Sequence, residues 1–131
     1  MKNLPIILLL ASFSYGLASD DSARHKEWMD TAQDLTYDLK DALDAKSSDK
    51  SAEPAQKLIK LGEQEEDYWT KAKLENAVKL AQQSLALSRQ IATEAKDGHF
   101  NEAQRDFTKL QTTCRTCHDL HFEKRLNPAG P

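Results

Sequence analysis

Phe100, Ala103, Phe107, Leu110, Cys114, Cys117 and His121 succeed one another at alternating intervals of three and four residues. That spacing holds all of them on one stripe of a helix, and it is the seam pattern of a helix packed in a bundle. It predicts that this part of the chain is helical and that both cysteines lie on its core stripe.

The preceding segments carry the same periodicity. Trp28, Ala32, Leu35, Leu39 and Ala42 share one side of a helix expected from about Ser22 to Lys46, with Met29, Thr36 and Leu43 bordering that face. Ser47 to Ser51 reads as a polar loop, and Pro54 is expected in the first turn of the next helix, where its missing N–H is not needed. Leu58, Leu61, Tyr68 and Trp69 belong to that second helix, and Gly62 weakens its extent. A third helix is expected from about Thr70 to Lys96, with Leu74, Ala77, Val78, Ala81, Leu85, Ser88, Ala92 and Ala95 on one face, and Asp97-Gly98 breaks it. Only 4 Gly, 4 Pro and 7% aromatic residues interrupt a composition that favours helix. The reading is all-α: an antiparallel up-down-up-down four-helix bundle, whose facing side chains can enclose a cofactor.

Length and charge narrow the rest. A chain of 131 residues suits one domain with a core that needs no cross-links. The formal net charge is -3, with no run of Lys and Arg resembling a phosphate-binding stripe, so nucleic acid is not an expected partner. Residues 1–18 differ from the rest of the chain: Lys2 gives a positive start, Leu4 to Tyr15 is almost wholly apolar, and Gly16-Leu17-Ala18 offers a small-residue cleavage site. The apolar run is about a dozen residues where a membrane span needs about 20. The expectation is a cleaved secretory signal peptide over 1–18, a mature domain over 19–131, and no stable membrane insertion afterwards. Export points to a periplasmic location.

The chemistry concentrates at Cys114-Arg115-Thr116-Cys117-His118, which contains the only 2 cysteines of the chain. Cys-x-x-Cys-His is the attachment signature of c-type haem. On one helical turn both thiols can add to the vinyl groups of a single haem while the adjacent imidazole is directed at the iron, so Cys114 and Cys117 bind one covalent haem c and His118 is its proximal axial ligand. A thioredoxin-type disulfide would require neighbouring strands, which the pattern lacks. A structural disulfide across so short a loop would constrain little of the unfolded chain. A zinc site using Cys114, Cys117, His118 and His121 would need four ligands to converge from two turns of one helix, where structural zinc draws ligand pairs from separate segments.

A leader, four helices and Cys-x-x-Cys-His on the final helix together resemble the class II c-type cytochromes, the family of cytochrome c prime and its low-spin methionine-ligated relatives. The resemblance covers essentially the whole mature chain and is strongest from Leu74 to Phe122, including the Lys96-Asp97-Gly98-His99-Phe100 turn. It implies that the sixth iron position faces the first helix, where Met29 is the candidate distal axial ligand. Many family members carry an Arg four residues before that position; His25 stands there in this chain, while Arg24 points instead to Trp28. A shift of one residue would therefore set Trp28 over a five-coordinate iron. His25 is a third option as a second imidazole ligand, against its plainer reading as an exposed residue near a helix start. His121 replaces an aromatic that the family often has three residues after the ligand histidine, and it reads equally as packing near the proximal imidazole or as partly exposed.

The expected function is that of a soluble periplasmic electron carrier serving redox partner proteins. The alternative is a five-coordinate protein that binds a diatomic gas, nitric oxide or carbon monoxide. No nucleophile with a positioned base, paired carboxylates or phosphate-binding loop is visible, so the chain does not read as an enzyme. Bundles of this family often pair through exposed apolar helix faces, which leaves a homodimer open.

Overall fold

The structure, a computed structural model, describes the backbone of residues 17–126 and the side chains of residues 22–121. The expected leader therefore lies outside the described residues over 1–16. Four helices account for almost all of the rest: α1 Leu17–Asp44, α2 Ser48–Lys71, α3 Glu75–Lys96 and α4 Phe100–Leu126. The described residues include no strand.

Each helix packs on its neighbour in the chain, and α4 closes back on α1. Contacts between helices fix their directions. The Gln104 amide of α4 reaches the Leu43 carbonyl and the Asp44 carboxylate at the end of α1. Near the start of α2, the Ser48 hydroxyl donates to the Ala95 carbonyl at the end of α3. At the other pole, His25 near the start of α1 meets Glu65 near the end of α2. Successive helices are antiparallel, as expected. The contact of α1 with α4 is the sparsest of the four seams.

The three connections are built alike. In each, the helix ends in a residue with left-handed backbone, Lys46 (φ 51°), Lys73 (φ 58°) or Gly98 (φ 79°). The next amide then reaches back to a carbonyl of the last turn: Ser47 N to Ala42 O, Leu74 N to Trp69 O, His99 N to Glu94 O. This is the Schellman arrangement, which satisfies carbonyls that a helix end leaves without partners. The residue making that bond opens the following helix, so three residues suffice to reverse the chain.

These turns correct the expected boundaries. Ser47 to Ser51 is not a loop: Ser47 caps α2, accepting the Lys50 amide on its hydroxyl, and the helix begins at Ser48. Pro54 accordingly sits in the second turn of α2, buried, and the helix forgoes the hydrogen bond to the Lys50 carbonyl. The α2–α3 break falls at 72–74 rather than before Thr70. Gly62 lies inside α2, where α3 crosses so closely that an added Cβ would come within 3.2 Å of the Leu85 side chain. It serves an approach between helices and does not end one.

The core is divided. Leu35, Leu39, Leu43, Ala55, Leu58, Ile91, Ala95, Ala103, Phe107 and Leu110 form a large cluster toward the pole where α1 ends and α4 begins. A smaller cluster at the opposite pole joins Trp69, Ala77 and Ala81, with Tyr68, Leu74 and Val78 against them. The stripes visible in the sequence supply most of these residues. Ile91, fully buried, lies outside them.

Candidate functional site

The second pole gathers the start of α1, the end of α2, the start of α3 and the C-terminal half of α4. Because α4 is continuous from Phe100 to Leu126, Cys114, Cys117 and His118 stand at positions i, i+3 and i+4, on one face of one turn. Both thiols are free. The core stripe of α4 does not run through them as expected: Leu110 is buried, but Cys114 is exposed and Cys117 only partly covered. The α1–α4 seam is the sparsest of the bundle, so less of α4 is covered from that side than from α3.

Exposed here does not mean prominent. Surrounding protein pushes the Cys114 thiol up, an effect reinforced by the charge of Glu65 and partly offset by a hydrogen bond with Ser84 of α3. Burial, helped by Glu65 and by Cys114, pushes the Cys117 thiol up to about 11. Glu65 of α2 and Ser84 of α3 are thus the neighbours that act on the Cys114 thiol.

Beside it stands an organised polar and aromatic cluster. Glu65 Oε2 accepts from His25 Nε2 at 2.9 Å and from Trp69 Nε1 at 3.1 Å. The His25 ring stacks on Tyr68 with centroids 4.3 Å apart and planes 10° from parallel, and meets Trp69 edge-on at 5.2 Å. Trp28 stands edge-on to both His25 and Tyr68 at 6.4 Å. Trp69 in turn packs 5.4 Å from the ring of His121 on α4. The cluster thus joins α1, α2 and α4.

His25 is therefore not the exposed residue expected near a helix start. It is 2% exposed, and its Nδ1 is buried without a hydrogen-bond partner, as is Glu65 Oε1. His121, at 5% exposure, is buried too, which supports packing over the partly exposed reading. His118 and His99 are exposed.

Helix register separates Met29 from Trp28, both half-buried. Trp28 turns to Tyr68 of α2, edge-on at 6.4 Å. Met29 follows one turn after His25, whose partner Glu65 is on α2.

Glu65, Tyr68 and Trp69 are site residues that the sequence pattern does not single out as such. The available signal is the Glu65-to-Trp69 spacing of i, i+4, which lets a carboxylate meet an indole N–H on one helix face. What it cannot supply is the partner on α1. Among the described residues, no three His, Cys, Asp or Glu side chains converge as ligands for a metal ion. No helix among the described residues is long and apolar enough to cross a membrane. No protein-family model, curated protein or solved structure matches the chain.

Proposed function

We propose that this protein is an exported, periplasmic mono-haem c-type cytochrome that carries single electrons between redox partner proteins. The observation that carries the reading is the presence of Cys114, Cys117 and His118 on one turn of α4. The donor set fits the group: two thiols spaced for paired thioethers, an adjacent imidazole for the iron, and a thioether available from Met29 on α1. The haem, when bound, supplies a one-electron iron couple.

The chain's residues do the remainder. Cys114 and Cys117 would hold the macrocycle on α4, and His118 would supply an imidazole nitrogen to its iron. A thioether from Met29 would favour the ferrous state relative to a second imidazole. The His25, Glu65 and Trp69 cluster beside these residues, with both rings buried, is poorly solvated, which raises the influence of nearby charges. A mature chain bearing 17 basic and 21 acidic residues after loss of Lys2 is mildly acidic and suits a partner with a basic docking patch.

Optical spectra of the ferrous protein with and without carbon monoxide test the carrier reading. A low-spin spectrum indifferent to the gas is expected, and Met29→Ala should convert it to one that takes up carbon monoxide. Ready uptake by the unaltered protein would instead establish the five-coordinate, gas-binding alternative.

A further inference from the structure

The pole that holds Cys114 and Cys117 also buries an ionisable pair whose hydrogen-bonding capacity is incompletely used. His25 shares one proton position with Glu65 across 2.9 Å, while His25 Nδ1 and Glu65 Oε1 are both buried without partners. With Glu65 ionised and His25 neutral, the pair carries one negative charge; with a second imidazole proton it carries none. Its two states differ by a full charge in a poorly solvated place, where charge is expensive and interacts strongly with neighbours.

We propose that His25 and Glu65 form a redox-linked proton site, which takes up one proton from solvent as the iron of a haem attached at Cys114 and Cys117 gains one electron from a donor protein. This rests on the haem reading above. The balance is simple: one electron enters the iron and one proton enters the pair, so local charge is conserved, and oxidation releases both. Such coupling is reciprocal, so the proton must favour the reduced state by the factor with which reduction favours the proton.

Position supports the coupling. Glu65 is close enough to both cysteines for its charge to act on their thiols. Trp69, which donates to Glu65, packs on His121, three residues past His118. His25 is one turn before Met29 on α1. The other ionisable groups of these helix ends, among the described residues, can be named by element. On α1 they are Arg24, Lys26 and Glu27, all exposed, with Lys26 committed to Asp30. On α2, Tyr68 stacks on His25, Glu66 is engaged by Gln82, and Asp67 pairs with Lys71. On α4 they are the two thiols, the buried His121, and His118, Arg115 and Asp119, which are exposed. From α3 the small cluster receives Ala77 and Ala81, which cannot ionise, while Glu75 and Lys79 are exposed. Glu65 is thus the carboxylate in contact with His25, and the proton belongs to the pair rather than to either member.

The test is the reduction potential of the haem-loaded protein as a function of pH, with the His25 ring followed by NMR in both oxidation states. The potential should fall with rising pH over the range in which the pair exchanges its proton. The slope should approach a tenfold change in equilibrium per pH unit, which for one electron is about 59 mV. The His25 titration should move to higher pH on reduction. His25→Phe should remove the slope, and Glu65→Gln should displace it to lower pH, because the carboxylate no longer holds the imidazolium. A haem-bearing protein with a flat potential, or with a slope unaltered in both variants, overturns the proton site and leaves the cytochrome reading intact. Should His25→Phe fail to fold, an unmoved titration in Glu65→Gln overturns it alone. A chain recovered without haem from a host that loads other c-type cytochromes overturns both.

Discussion

Glu65 holds His25 from across the α1–α2 seam, 2.9 Å away and forty residues distant in the chain. The same carboxylate oxygen receives the Trp69 indole N–H. One side chain on α2 therefore satisfies two buried donors and ties down the end of α1 that carries Met29. Replacing Glu65 by Ala leaves both donors buried and unmet. Each such loss costs about 1–3 kcal/mol, so Glu65→Ala should lower unfolding stability by about 2–5 kcal/mol, with Glu65→Gln much milder. Urea unfolding of the full chain measures it. An effect below about 0.5 kcal/mol for Glu65→Ala would show that the pair is not formed in solution.

The left-handed residues of the connections give a second expectation. A non-glycine side chain in this conformation costs roughly 1 kcal/mol. Lys46→Gly and Lys73→Gly should each raise stability by up to about 1 kcal/mol, and Gly98→Ala should lower it by a similar amount. Thermal unfolding of the three variants checks the signs. Opposite signs at Lys46 and Gly98 are required, because both occupy the same place in the same turn.

Two carboxyls on α3 and α4 should shape the acid limb of stability in opposite ways. Asp106, 1% exposed, is held below the usual range by its hydrogen bond with Lys109 at 2.7 Å, with Arg105 also close. Its depressed folded value means that its contribution is present above the unfolded value of 3.8 and is lost as pH falls through the folded one. Glu94 is pushed up, first by burial and then by Asp106 beside it. Its contribution is present below the unfolded value of 4.5 and is lost as pH rises through the folded one. Asp106→Asn should therefore weaken the protein near neutral pH and flatten its acid loss. Glu94→Gln should strengthen it near neutral pH and remove the decline above 4.5. Unfolding free energies from about pH 3 to 7 decide both.

The thiols bear on reactivity before any attachment. With its folded value near 11 against an ordinary 9.0, Cys117 in the haem-free folded chain carries about a hundredfold less thiolate at neutral pH than it does unfolded. Alkylation by iodoacetamide at about pH 7 should be slowed at Cys117 by about that factor and restored by urea. Equal rates in folded and unfolded chains would contradict the raised value of Cys117.

Periodicity made much of the fold legible. Helices reveal themselves by their buried faces, and Leu35, Leu39, Ala77, Ala81, Leu85, Ala103, Phe107 and Leu110 stand in the core where three- and four-residue spacing put them. The turns were legible only at Gly98. At Lys46 and Lys73 the left-handed residue is a lysine, a poor sign of a helix end, and the Schellman bonds that impose it depend on backbone geometry. The cysteine and histidine spacing was visible because the attachment chemistry proposed for it is local to one turn. The polar cluster was not, because a histidine at a helix start is ordinarily solvated and only the partner forty residues away makes its burial tolerable. The exposure of Cys114 was hidden for a related reason: a stripe records which face of α4 turns inward, and the sparse packing of α1 against it is a property of the assembled bundle.

Covalent haem at Cys114 and Cys117 underlies every functional statement made of this chain, and intact mass spectrometry of the protein exported from a host with working cytochrome maturation decides it. The expected mass is that of one haem per chain, surviving acid denaturation and lost when both cysteines are replaced by Ala. A mature chain of unmodified mass, from cells that load haem onto another c-type cytochrome, would contradict it.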